Sequence, residues 1–315
     1  MLVALAIVLG LIINYFTWGL LFSSILCVFA GIFMIMPSLL DFETKDFLKI
    51  RKHQKLLRIN LFANVLITPL IAWGVGSLFF QDIWLTITLI MLSLLSWWGL
   101  VFAWIKKTNG NNSLWFQFFM LNLLVFTVIF FIATPFVQQI GMLQSVALTC
   151  DLSGPVSCGI WWNISPISAI VVLVIFPFLL SRIVLWNQKI TALAKKYSKY
   201  LSQIGTFVII GYIFSLQQIH AIFEIDILLV TKIFVATLIF YLLIFIYNLI
   251  IYHRFLPKTP ESKSLFWMTT SRFITLGLVL SFIYTQYFGT TIMLIFVSAY
   301  FIQILLSQLV SRYLK

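Results

Sequence analysis

Carboxylates are scarce in this chain. Only eight Asp and Glu stand against 20 Lys and Arg in 315 residues. All eight (Asp41, Glu43, Asp46, Asp82, Asp151, Glu224, Asp226 and Glu261) fall in loops or at the ends of apolar runs, never near the middle of one. The three histidines, His53, His220 and His253, sit at run ends as well and read as interfacial packing or solvated residues. There is no HExxH, no GxSxG, no phosphate-cradling glycine loop and no cluster with metal-ligand spacing. A nucleophile, base or metal site therefore cannot be assembled, so the chain reads as a non-enzyme that needs no cofactor.

Cysteine is also sparse. Cys27 lies in an apolar run and reads as a small packing residue. Cys150 and Cys158 share the polar stretch "TCDLSGPVSCGIWWN". An oxidising compartment would let them form a disulfide, because the Ser-Gly-Pro between them allows the chain to turn back. No His stands nearby to complete a metal set.

What the sequence has in abundance is apolar surface. Hydrophobic residues make up 62% of it and charged ones only 9%, too few to cover a soluble fold. Apolar runs close to 20 residues recur along the whole chain, the length a helix needs to cross the hydrocarbon core. Shorter, alternating segments would mark a β-barrel, and they are not the pattern here. The fold class expected is an all-α polytopic membrane protein. Ten spans can be drawn, at about 2–16, 20–40, 59–80, 83–105, 114–136, 164–186, 201–222, 225–252, 265–284 and 288–311. "MLVALAIVLGLIINYFTW" has no basic n-region, so it is expected to be the first span and not a removable signal.

The basic residues orient these spans. With this division, 18 of the 20 Lys and Arg fall on one side of the membrane: 45–58, 106–107, 182–199, 254–263 and 312–315. The opposite loops receive none. Cytoplasmic loops collect Lys and Arg, so both termini are expected in the cytoplasm, in the plasma (inner) membrane. The net charge of +12 is then a topology signal and a contact with anionic lipid. It gives no reason to expect nucleic acid. Two basic residues fall within spans. Lys232 lies near the outer end of span 8, within reach of Glu224 and Asp226 for pairing or snorkelling. Arg272 lies in span 9.

Polar and small residues inside the spans form a pattern. Span 3 holds Asn64, Thr68 and Pro69; span 4 holds Ser93, Ser96 and Gly99; span 5 holds Asn122. Span 9 reads "WMTTSRFITLGLVLSF", with Thr270, Ser271, Arg272, Thr275 and Gly277 in one stretch. Each alone serves helix packing in an ordinary membrane bundle. Together they interrupt span 4 and span 9, the fourth helix of each five-helix half. Halves with an odd number of helices enter the membrane from opposite sides. Residues 1–136 and 164–315 are thus expected as two inverted repeats, joined by an external loop at 137–163. Corresponding interrupted helices point to a transporter binding site.

Several of these stretches resemble the bile acid/sodium symporter superfamily, and most closely its arsenite efflux permeases. "MIMPSLLDFETKDFLKI" (34–50) is similar to the family's end of helix two. "NVLITPLIAW" (64–73) is similar to its Asn-x-x-x-x-Pro helix three, and "LVFAW" followed by "KKTNGNNS" (100–113) to the end of helix four and the next turn. "PFLLSRI" (177–183) and "FITLGLVLSF" (273–282) resemble helices six and nine. The resemblance implies a panel domain of helices 1, 2, 6 and 7 and a core domain of helices 3–5 and 8–10. It also implies that broken helices 4 and 9 cross at the substrate site. Two departures stand out. Trp97 occupies the position of the permeases' helix-four Cys and offers no thiolate for soft arsenic. Ile274, or Thr275 in a shifted register, occupies the position of a helix-nine Glu tied to cation coupling. Arg272 stands close by, where the family often has Asn.

Arg272 is about 10 Å into span 9 at ~1.5 Å per residue. Its side chain either snorkels back to the interface or faces the interior, where a charge marks an ion or substrate path. In the second case it could replace a bound cation, attract an anion, or do both. The expected function is secondary transport of a small organic or inorganic anion by alternating access, and in the second case for Arg272 this transport could run without sodium. The expected substrate contacts are Arg272, Ser271, Thr270, Thr275, Ser93, Ser96, Asn64 and Asn122, with structural breaks at Gly99, Gly277 and Pro69. The coupling ion, sodium or a proton, stays open, as does the oligomeric state. The alternatives are metalloid efflux and a degenerate carrier acting as a sensor or structural membrane protein.

Overall fold

The structure, a computed structural model, describes residues 2–18, 40, 53–95, 100–111, 114–115, 117–119, 121–122, 124–129, 132, 176–215, 227–272, 274, 277 and 291–314. Among these, all regular elements are helices. In chain order they are α1 (Leu2–Thr17), α2 (Gln54–Phe62), a π turn (Ala63–Ile67), α3 (Thr68–Phe79), α4 (Ile83–Leu94), α5 (Leu100–Lys107), α6 (Phe176–Trp186), α7 (Gln188–Ser215), α8 (Ile227–Arg254), α9 (Pro260–Thr270) and α10 (Thr291–Tyr313). The described residues between 114 and 132 are helical as well.

Among the described residues, three helices are long and apolar enough to cross a membrane: Gln54–Phe79, which runs through α2, the π turn and α3, then Ile227–Arg254 and Thr291–Tyr313. They correspond to expected spans 3, 8 and 10. Expected span 7 starts much earlier than its apolar run. α7 begins at Gln188, not near 201, because the basic stretch Lys189–Lys199 is rich in Ala, Leu and Lys, all good helix formers. The helix of span 9 likewise starts at Pro260. Thr259 caps it, with its hydroxyl accepting from the Ser262 N–H at 3.4 Å, and Pro260 fits the first turn, where no N–H is needed. Asp82 caps α4 in the same way, accepting from Trp84 N–H at 2.8 Å.

α1 packs along α7, and α6 adjoins α7. Close approach of α1 requires Gly10, since a Cβ there would run into the Gly211 carbonyl and Phe214 on α7. The other helices pack around α8, which meets α3, α9 and α10; α10 also meets α4, and α9 meets α5 and α2. Phe214 of α7 touches Phe301 of α10 edge to face, with ring centroids 6.1 Å apart.

Candidate functional site

Three local irregularities converge in the interior. The first is the π turn in span 3. Pro69 has no N–H to give the carbonyl a turn behind it. The Thr68 N–H reaches back five residues to Ala63, and the Thr68 hydroxyl donates to the Asn64 carbonyl at 3.1 Å in place of an N–H. Pro69, at the start of α3, thus coincides with a change of helical hydrogen-bonding pattern, and the helix continues through it from Gln54 to Phe79. The same hydroxyl lies 3.4 Å from the Ser93 carbonyl and so joins span 3 to span 4.

The second is in span 4. α4 stops at Leu94, and Leu95 leaves the helix with φ −73° and ψ 59°. α5 resumes by Leu100. The Ser93 hydroxyl is spent on its own helix, donating to Ile90 O at 2.6 Å. Ser96 and Gly99 lie outside the described residues, as do Thr275, Cys150 and Cys158.

The third is in span 9. α9 stops at Thr270, and Ser271 is extended, with φ −85° and ψ 147°. The hydroxyl groups ahead of the break turn back on the helix. Thr269 donates to Leu265 O at 2.9 Å and Thr270 to Phe266 O at 2.5 Å. Helical geometry returns at Ile274 and Gly277. The two breaks approach each other, because a Cβ on Gly277 would stand 3.1 Å from Leu95 Cδ1 and would overlap the Phe296 ring. Gly277 thus serves close packing of this segment.

Arg272 lies at the third break, and it does not snorkel. It is 1% exposed. Its Nη1 donates to Asn64 Oδ1 at 2.9 Å, and its Nη2 donates to the Thr269 carbonyl at 3.0 Å. The guanidinium therefore rests on the carbonyl end of α9, where the helix dipole is negative. No carboxylate lies within salt-bridge distance of it among the described residues.

Leaving the helix strands the backbone N–H and C=O of Arg272, which must find partners in a dry interior. Gln303, on α10, satisfies both. Its Oε1 accepts from Arg272 N–H at 2.7 Å and its Nε2 donates to Arg272 C=O at 3.3 Å. Tyr241, on α8, donates its hydroxyl to the same Oε1 at 3.0 Å. Neither Gln303 nor Tyr241 is among the residues expected from sequence, and neither is Asn60, whose Oδ1 accepts from Asn64 Nδ2 at 3.0 Å. The i, i+4 spacing of Asn60 and Asn64 is the one signal that could have found this pair.

Among the described residues, Ser271 Oγ, Arg272 Nε, Asn60 Nδ2 and both side-chain polar atoms of Asn122 are buried without a hydrogen-bond partner. Asn122 is buried, but among the described residues no hydrogen bond joins it to Arg272.

A second set of contacts holds the broken helix in place. The "TNGNN" turn after α5 puts Asn109 in the left-handed region at φ 57°. Trp267 Nε1 donates to Thr108 Oγ1 at 2.9 Å, and Lys263 Nζ to Thr108 O at 3.0 Å. Ser264 Oγ donates to Asn111 O at 2.9 Å, and Asn111 Nδ2 to Glu261 Oε1 at 3.2 Å. Trp104 stacks on Trp267 with centroids 5.8 Å apart. α5 and α9 are thereby fastened together at one end, which sets the position of the break at the other.

A comparison with protein families finds a match to the model described as the Sodium Bile acid symporter family, over residues 28–225. No curated protein matches the chain.

Proposed function

The chain belongs to the Sodium Bile acid symporter family of membrane transporters, and from that premise we propose that it carries a small organic or inorganic anion by alternating access without sodium. Arg272 would serve as a built-in cation. One observation carries this reading: a buried guanidinium whose partners are two carbonyl-type oxygens and, among the described residues, no carboxylate. Unwound carbonyls and the C-terminal ends of half-helices are the groups with which transporters of this kind hold a coupling ion. Here a guanidinium takes them, and its charge never dissociates.

An uncompensated buried charge is costly, so the site gains when an anion arrives. Ser271, which precedes Arg272 in the chain and has a buried hydroxyl without a hydrogen-bond partner, is the next contact in this reading. Asn64 fixes the guanidinium, and Thr270 and Ser93 shape the helix ends around it. The grouping of α1 with α7 and of α8 with α3, α9 and α10 supports a panel and a core that move against one another. The ten-span arrangement, with both termini in the cytoplasm of the plasma membrane, completes this reading. Transport of labelled carboxylates into proteoliposomes tests it. Arg272→Ala should insert and fold yet lose transport, and wild-type rates from that variant would refute the role of Arg272.

A further inference from the structure

We infer that Asn60 is a second anion-binding donor in this site, held ready by Arg272 through Asn64. The inference rests on the anion reading above and adds a specificity residue to it. It follows from the direction of a hydrogen-bond chain. Arginine has only donors, so the Asn64 atom that meets Arg272 Nη1 at 2.9 Å must be the oxygen. The amide nitrogen of Asn64 then faces Asn60, and it too can only donate. The Asn60 atom that meets it at 3.0 Å must therefore be Oδ1. That uses the acceptor of Asn60 and leaves Nδ2 as a donor.

Nδ2 has no partner among the described residues, and Asn60 is 0% exposed. An unpaired buried donor is a costly feature in a folded protein. Arg272 Nε, in the same chain of contacts, has no partner either. Between them the two amides and the guanidinium leave two buried donor atoms without a partner, whereas each amide oxygen already accepts a hydrogen bond. Such a set fits an oxyanion head group that only accepts hydrogen bonds. It rejects the neutral amide of the same shape, whose NH2 would meet a donor.

The test uses the purified full-length protein in detergent and reads thermal unfolding with sodium benzoate, acetate, phosphate or the neutral analogue benzamide. Wild type should be stabilised by at least one anion and not by benzamide. Asn60→Leu should weaken the anion response about tenfold or more, the size expected for loss of a hydrogen bond to a charged group. Asn60→Asp gives a readout that a packing role would not produce. Its carboxylate keeps the bond from Asn64 and supplies the missing acceptor internally. The variant should unfold at or above the wild-type temperature without ligand and should no longer respond to anions. An anion response that survives Asn60→Leu overturns the role of Asn60 while leaving the anion reading intact. A benzamide response equal to that of benzoate overturns it as well. Failure of every anion to stabilise wild type overturns both readings.

Discussion

Arg272 and Asn64 are 208 positions apart in the chain, yet the guanidinium Nη1 of one donates to the side-chain oxygen of the other at 2.9 Å. The bond ties the π turn of span 3 to the break in span 9. It also sets the amide of Asn64 in one orientation. Asn64→Leu would leave a buried charged donor unpaired, and it should destabilise the protein by about 2–3 kcal/mol in SDS titration. Asn64→Asp should behave differently. It gives the guanidinium a carboxylate, a strong partner in good geometry. This variant should match wild type in stability but lose at least roughly tenfold in anion transport, a 1.4 kcal/mol effect or more.

Gln303 stands in for a backbone partner of Arg272, and Tyr241 holds the Gln303 amide in place. Gln303→Leu should cost about 2–4 kcal/mol because it strands an N–H and a C=O together. Tyr241→Phe removes a single bond and should cost about 1 kcal/mol. The double variant should lose less than the sum, since both changes act on one group. Strict additivity in that cycle would show that the Tyr241 bond does not hold the amide.

Gly277 has no room for a side chain. Gly277→Ala would push a methyl into the Phe296 ring and against Leu95. An overpacked interior typically loses about 1–3 kcal/mol. Phe296→Leu in the same protein should restore part of the loss, and its failure to do so would place the strain elsewhere.

Glu261, outside the membrane core at the start of α9, has its carboxyl held below the ordinary value of 4.5. Its own backbone N–H is the leading cause. Burial pushes the other way, while the Asn111 and Thr259 side chains and the charge of His53 add to the lowering. A carboxyl that titrates lower when folded stabilises the fold above its unfolded pKa. That contribution disappears as the pH falls through the folded value. Thermal unfolding of Glu261→Gln should therefore fall below wild type at neutral pH, and the gap should close as acidification passes below 4.5 and through the lowered folded value. A gap that persists at its neutral-pH size well into the acid range would mean that the contact with Asn111 does not depend on the charge.

The sequence carried part of this site openly. Thr269, Thr270 and Ser271 mark the break in span 9, because short hydroxyl side chains compete with the helix for its own carbonyls. Asn64 and Pro69 mark the irregular turn in span 3. Whether Arg272 snorkels or turns inward was not legible. The same side chain reaches either place, and only the packing of α8, α9 and α10 decides between them. Gln303 was invisible for a different reason. A lone amide in an apolar helix has no patterned partner when that partner is the backbone of a residue 31 positions away. The early start of α7 does not show in the apolar pattern, because the basic residues at 189–199 interrupt hydrophobicity although they favour helix.

The central claim is that Arg272 replaces a bound cation. Anion uptake by the purified protein in liposomes, measured with and without an inward sodium gradient, tests it most directly. The account predicts equal rates in both conditions, and loss of uptake in Arg272→Ala. A rate that rises steeply with the sodium gradient would contradict it.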